Sequence, residues 1–204
     1  MKYTNRNYFF VATAFIISIN IIVYTITGWE GVDFIDTEHE WTSVFYFNGL
    51  LRNYLNCFCH LSWQHVLLNM LCFLVCGIYF ESKIGSLKFF LLVIALSFFT
   101  CCVISANNSS NGVGFSGTNY AIYGYIAVNY IYNIFNCRKN KVSDMIFGAI
   151  IIALIYVAMC FNGGTNIISF TLYPFDLIHN LGHYTGFLSG IIMCFSVKTF
   201  YLLK

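Results

Sequence analysis

A serine, Ser116, is the fifth residue of the glycine-rich stretch Gly-Val-Gly-Phe-Ser-Gly at positions 112–117, and an apolar run begins at this serine. Serine at a helix start commonly serves only as an N-cap. The turn would also present backbone N–H groups beside a hydroxyl at the positive end of a helix, which suits a developing oxyanion. The pattern therefore fits a capping serine or a nucleophile, with Gly114 supporting the turn.

A histidine lies in the last apolar run, within a stripe of small residues. Glycines recur there every four positions, on one helical face, at Gly182, Gly186 and Gly190. Such a stripe lets another helix approach closely. The run that begins at Ser116 offers Tyr120 and Gly124 at the same spacing, so docking of the two faces would bring His183 Nε2 towards Ser116 Oγ. A packing histidine or a proton relay is the alternative reading of His183.

A second pair of polar residues, His65 and Asn69, is four positions apart in another apolar run. Residues at this spacing lie about 40° apart around a helix, so both side chains can donate towards one cavity. Hydrogen bonding between helices, without a catalytic role, is the alternative for this pair.

The composition places these residues in a membrane. The chain has 204 residues, of which 59% are hydrophobic and 9% charged, whereas soluble domains carry roughly a quarter charged residues. The net charge of +2 is small, and the sequence contains no basic patch with interleaved aromatic residues. We therefore expect a lipid bilayer around the protein and no binding to nucleic acid.

The apolar runs predict an all-α polytopic membrane protein, since a spanning helix needs about 20 largely apolar residues. The predicted spans of this single domain, residues 1–204, are 8–26, 61–80, 86–105, 116–135, 145–161 and 180–200. No charged residue occurs between positions 89 and 137, so the polar stretch 107–114 must be the turn between two helices.

The distribution of Lys and Arg predicts the orientation. With six spans, nine of the ten basic residues fall on the side of the two termini, and only Arg52 falls opposite. Basic residues favour the cytoplasmic side, so both termini should be cytoplasmic. Six of the eight acidic residues lie on the other side.

The cysteines and histidines do not form a recognisable metal motif. Six of the nine cysteines lie in apolar runs, where cysteine behaves as a small hydrophobic residue. Cys57 and Cys59 form a CxC pair, but no second pair at zinc-ligand spacing follows. We expect no metal and no cofactor.

Taken together, these residues resemble the rhomboid intramembrane proteases. The matching positions follow the family's order over residues 48–195: Arg52, His60, His65, Asn69, Glu81, Gly85, Gly114, Phe115, Ser116, Gly117, Tyr120, Gly124, His183, Gly186 and Gly190. Each motif is short, but their joint occurrence in this order is specific. The resemblance implies the minimal six-helix bacterial form, a rhomboid-like bundle in a bacterial cell (inner) membrane. The sequence departs from the common pattern at Leu51, where many members have Trp, and at Asn56, where many have His.

The resemblance implies a serine endopeptidase that cleaves within the transmembrane segments of single-span membrane proteins. In that family the GxSG serine, here Ser116, is the nucleophile, and the histidine of the last helix, here His183, is the base. The second-span His65 and Asn69 serve the oxyanion hole. No acidic third member is present in the apolar core, so a Ser–His dyad is expected, with Tyr120 supporting the imidazole.

Two other functions also fit parts of this pattern. A catalytically inactive relative that binds membrane clients would share the fold, and a small transporter or proton channel would also place histidines in a membrane. Position in the chain and the family resemblance together assign substrate entry to the fifth span and residues 162–179. The oligomeric state is not indicated.

The predicted orientation can be tested by a map of thiol accessibility or reporter fusions. Positions 138–141 should be cytoplasmic, because Arg138, Lys139 and Lys141 lie there. Removing Lys139 and Lys141 together should weaken the orientation bias without abolishing it. An external location of this segment would contradict the predicted orientation.

Overall fold

The computed structural model describes residues 10–27, 54–106, 114–135, 146, 149–150, 153 and 181–202. Regular structure in these residues is helical: α1 Val11–Thr27, α2 Trp63–Ile84, α3 Ser86–Ala106, α4 Ser116–Phe135 and α5 Leu181–Leu202. These helices correspond to the first, second, third, fourth and sixth predicted spans. Of the predicted fifth span, 145–161, only residues 146, 149, 150 and 153 are described, and all four are helical. Arg52, the turn residues 107–113 and the proposed substrate segment 162–179 lie outside the described residues.

The outward faces of these helices are apolar. Large side chains exposed on α2 and α5 include Leu67, Leu71, Leu188, Ile192 and Phe195. An apolar face of this extent is unfavourable in water and favourable against lipid chains. By length and composition, α2 is the described helix that could cross a membrane, while Val11–Thr27 and Ser86–Cys102 are apolar but shorter.

A buried carboxylate joins α2 to the start of α1. Glu81 is 2% exposed; its side chain accepts hydrogen bonds from the backbone N–H groups of Ala12 and Thr13, both at 2.9 Å, and from Thr13 Oγ1 at 2.6 Å. The first N–H groups of a helix have no intrahelical partner and carry partial positive charge, so a carboxylate there satisfies both needs. Gly77, one turn earlier on α2, leaves room for Thr13, because a Cβ at this position would collide with the threonine side chain. Helix α2 thus runs through Glu81 to Ile84, beyond the predicted end at residue 80, and is capped by Gly85, whose N–H donates to the Glu81 carbonyl oxygen.

The α4–α5 pair approaches to backbone contact. A Cβ at Gly186 would collide with the carbonyl oxygen of Gly117, and a Cβ at Gly190 would collide with that of Ala121. Gly124 meets the backbone of Phe187 in the same way. The four-residue glycine spacing read from the sequence thus marks the face on which these two helices pack.

Hydroxyl groups fasten α3 to both of these helices. Thr100 Oγ1 lies 3.0 Å from Ser189 Oγ of α5, and Thr118 Oγ1 of α4 donates to Ser97 Oγ at 3.0 Å. All four residues are buried. Such bonds between spanning helices contribute about 0.6 kcal/mol on average and leave few hydroxyls unpaired.

An aromatic cluster holds the residue that precedes Ser116. Phe115 is fully buried and meets Phe73 of α2 edge to face, with ring centroids 5.2 Å apart. Phe73 in turn stacks on Phe89 of α3 at 5.8 Å. Aromatic pairs of this kind contribute about 0.5–1.5 kcal/mol beyond their burial. The start of α4 is therefore anchored by side chains of both neighbouring helices.

Gly186→Val tests the contact between α4 and α5. The added side chain meets backbone of Gly117 that no rotamer change can move, so the variant should lose about 1–3 kcal/mol of stability or more. Leu188→Val is the matched control, because it places the same side chain on the same helix at an exposed position. Thermal unfolding in one detergent compares them. Equal melting temperatures would show that the glycine face does not hold the helices together.

Candidate functional site

Ser116 is the first residue of α4 and is 8% exposed. The turn before it depends on Gly114, whose φ of +107° is unfavourable for other residues. A Cβ at Gly114 would also lie 2.7 Å from His65 Cε1, so the imidazole of His65 packs directly against this glycine. The first N–H groups of α4 point out of the helix at this place, because no preceding turn can accept from them.

Residues 54–60, which we term the bracing segment, accept two hydrogen bonds from this turn. The Gly114 N–H donates to the Asn56 carbonyl oxygen at 3.1 Å. The Phe115 N–H donates to His60 Nε2 at 3.4 Å. The opposite ring nitrogen, Nδ1, lies 3.1 Å from the Phe58 carbonyl oxygen. Because a carbonyl oxygen only accepts, His60 Nδ1 carries a proton. Because Nε2 accepts from the Phe115 N–H, it carries none, and the His60 ring is neutral.

The histidine of α5 reaches the serine of α4. His183 Nε2 lies 2.9 Å from Ser116 Oγ, within hydrogen-bond range. The imidazole stacks on the Tyr120 ring, with centroids 4.5 Å apart and planes inclined by 22°. Tyr120 is one helical turn beyond Ser116, so a single face of α4 holds both the hydroxyl and the ring that orients the imidazole. The structure therefore brings together three residues that the sequence singled out.

Two potential donors face the same turn from α2. The Leu61 N–H donates to His65 Nδ1 at 3.4 Å, which places the proton of the neutral ring on Nε2. His65 Nε2 would lie 3.0 Å and Asn69 Nδ2 3.5 Å from a Cβ at Gly114. Asn69 Nδ2 is buried and has no hydrogen-bond partner among the described residues. An unpaired buried donor is costly, and this one lies beside the turn that precedes Ser116.

Sequence reasoning missed Asn119, which orients Asn69. Asn119 is 2% exposed, and its Nδ2 donates to the Asn69 backbone oxygen at 2.9 Å and to Asn69 Oδ1 at 3.4 Å. Because Asn69 Oδ1 faces Asn119, the Nδ2 atom of Asn69 points away from Asn119. An amide in an apolar run three residues after Ser116 was the available signal, since residues at this spacing share a helical face.

Burial and the neighbouring His65 lower the pKa of His60, in the bracing segment, from 6.5 to about 4. The two imidazoles meet edge to face with centroids 5.0 Å apart. His60 is therefore neutral over the physiological pH range and can accept from Phe115. Within the described ranges, no three His, Cys, Asp or Glu side chains converge as a metal site.

These features define a class of protein: an all-α membrane protein that buries a hydrogen-bonded Ser–His pair between two closely packed helices. The family model for the Rhomboid domain matches residues 48–200, which is more than half of the chain. The chain belongs to the rhomboid family and is an integral membrane protein. No curated protein shows significant similarity to it.

The neutral state of His60 predicts a pH dependence of stability. With a folded pKa near 4 and an unfolded pKa near 6.5, the unfolded chain binds more protons between these values. The stabilisation is complete above pH 6.5 and is lost as the pH falls through about 4, a change of up to about 3 kcal/mol. His60→Gln retains an oxygen that can accept from Phe115 but cannot titrate. Its unfolding free energy should therefore fall less than that of the wild-type protein between pH 7 and 4; parallel pH profiles would contradict the assignment.

Proposed function

We propose that this chain is an intramembrane serine endopeptidase that cleaves transmembrane segments of other membrane proteins by a Ser–His dyad. The observation that carries the proposal is the 2.9 Å contact between Ser116 Oγ and His183 Nε2 inside an apolar helix bundle. Membership of the rhomboid family supports it, because that family consists generally of serine intramembrane proteases.

In the proposed reaction, His183 takes the proton of Ser116 as its oxygen attacks a peptide carbonyl. Negative charge then develops on the former carbonyl oxygen. The Ser116 backbone N–H, His65 Nε2 and Asn69 Nδ2 are the donors proposed to stabilise this oxyanion. Their value comes from being oriented before the reaction begins, so that no reorganisation is needed in the transition state.

Collapse of the tetrahedral intermediate releases the amine, which His183 protonates, and water then hydrolyses the acyl-enzyme with His183 again as base. A third, acidic member is not required. The acidic side chain in the described ranges, Glu81, is held at the opposite end of α2 by the start of α1. Stacking on Tyr120 is proposed to orient the imidazole instead.

The position of the site suits a substrate that unwinds at the membrane boundary. Ser116 and His183 lie at the starts of α4 and α5, near the start of α2 and the end of α3. With both termini cytoplasmic in a bacterial inner membrane, as proposed from the basic residues, this end faces outward. We propose single-span membrane proteins as substrates and residues 1–204 as one domain.

An inactive member of the family that only binds membrane clients is the alternative function. It would share the bundle and the family match, but it would not need the Ser116–His183 contact. Cleavage of a panel of tagged single-span proteins in liposomes distinguishes the two. The proposal predicts discrete products from at least one substrate, whereas client binding without cleavage by the folded protein would support the alternative.

The dyad predicts strongly non-additive losses. When two groups act as one unit, removing either one lowers kcat about as much as removing both. Ser116→Ala, His183→Ala and the double variant should therefore lose similar amounts of kcat. All three should insert and fold, because the contact between α4 and α5 depends on glycines elsewhere. Initial cleavage rates of the three variants are the measurement. Additive losses, or an active Ser116→Ala, would place the nucleophile elsewhere.

The oxyanion assignment predicts partial defects in kcat. Loss of one donor costs about 10²–10³ in turnover, so Asn69→Ala and His65→Ala should be less severe than Ser116→Ala. Asn119→Leu should reproduce part of the Asn69 defect, because it removes the bond that orients that amide. Melting temperature and kcat are compared on the same preparation. Variants with a lower melting temperature but a normal kcat while folded would show that these residues only connect the helices.

A further inference from the structure

Two cysteines from distant parts of the chain meet beside the bracing segment. Cys57 lies within that segment and Cys101 lies near the end of α3, 44 positions later. Their sulfur atoms are 2.8 Å apart. Unbonded carbon atoms pack at about 3.5–4.0 Å, whereas a disulfide bond is about 2.05 Å long. The two sulfur atoms are therefore closer than atoms in ordinary contact and farther apart than bonded ones.

Contacts around Cys57 and Cys101 hold the two side chains next to each other. Consecutive turns order the bracing segment, since the N–H groups of Cys57, Phe58 and Cys59 donate to the carbonyl oxygens of Tyr54, Leu55 and Asn56. The Tyr54 ring meets Phe98 at 6.2 Å, one turn before Cys101 on α3. Cys57 is 9% exposed and Cys101 is 2% exposed. Two side-chain contacts thus fix the segment against one face of the helix.

We infer that Cys57 and Cys101 form a disulfide bond that fastens the bracing segment to α3. Both lie at the end of the bundle that the basic residues predict to be external, where disulfides persist. The segment it fastens is the one that supports the turn before Ser116, through Asn56 and His60. The cross-link would therefore make the geometry of that turn dependent on the redox state.

The bond forms by exchange with a protein or small-molecule disulfide. The Cys57 thiolate attacks one sulfur of the oxidant, which forms a mixed disulfide and releases one thiolate. The Cys101 thiolate then attacks the Cys57 sulfur and releases the second. Two electrons and the two thiol protons pass to the oxidant, which leaves as a pair of thiols. Because both cysteines are buried in the folded protein, this exchange is expected before α3 and the segment finish packing.

Thiol counting tests the cross-link without any assay of activity. Protein purified without reductant is acid-quenched, unfolded, alkylated and mapped by peptide mass spectrometry. We expect Cys57 and Cys101 to escape alkylation and to appear as one linked peptide pair, which separates after reduction. Full alkylation of both cysteines before reduction would overturn the inference.

Thermal unfolding with and without reductant provides the second readout. Reduction should lower the melting temperature of the wild-type protein by about 5–15 °C. Cys57→Ser, Cys101→Ser and the double variant should each melt near the reduced wild-type protein and should no longer respond to reductant. Cys59→Ser, two positions away, is the control and should keep the response. A wild-type melting temperature that does not change once thiol counting shows Cys57 and Cys101 to be reduced would also overturn the inference.

An effect on cleavage rests on the proposed function, but the cross-link itself does not. If Cys57 and Cys101 are linked and the folded protein cleaves no substrate in either the oxidised or the reduced state, the proposed function fails and the disulfide stands. If protein purified without reductant has both thiols free and cleaves substrate, the disulfide fails and the proposed function stands.

Discussion

The close approach of α4 and α5 is the constraint on which the rest of the structure depends. Gly186 and Gly190 pack on backbone atoms of Gly117 and Ala121, and larger residues would push the helices apart. The hydrogen bond between Ser116 and His183 forms only because this separation is so small. In a bilayer, where lipid chains are as apolar as the helices, van der Waals contact and hydrogen bonds must hold such a pair together. The glycines therefore support both the packing of α4 on α5 and the contact between Ser116 and His183.

Most of the polar groups described inside the bundle form hydrogen bonds with one another. Glu81 is neutralised by the start of α1, and pairs of hydroxyl groups connect α3 to α4 and α5. Among the described residues, four buried side-chain atoms have no partner, and Asn69 Nδ2 is the one donor in that group. It lies beside the Ser116 turn, where a substrate oxygen would accept its hydrogen. The one unpaired donor among these four atoms thus lies at the proposed oxyanion hole.

Much of the fold was predictable because apolar periodicity and charge mark membrane spans strongly. Helix α4 begins at Ser116 as predicted, since the glycine-rich turn and the apolar run meet there. Helix α2 continues through Glu81 to Ile84 rather than ending at residue 80. The buried Glu81 carboxylate is hydrogen-bonded by the start of α1, a contact that spacing along the chain does not show. Ser116, His183, His65 and Asn69 were identifiable from residue type, spacing and family resemblance, and their catalytic roles remain predictions. Three features could not be predicted, because they depend on packing between distant segments: the contact of Asn119 with Asn69, the hydrogen bond to His60, and the contact of Cys57 with Cys101.

The central claim is that the contact with His183 activates Ser116 as a nucleophile. A fluorophosphonate probe measures this directly, because it reacts covalently with activated serines and does not require the physiological substrate. After labelling in detergent, peptide mass spectrometry should find the adduct on Ser116 of the wild-type protein and on no serine of His183→Ala. A folded wild-type protein that remains unlabelled, or an adduct on another serine, would contradict the account.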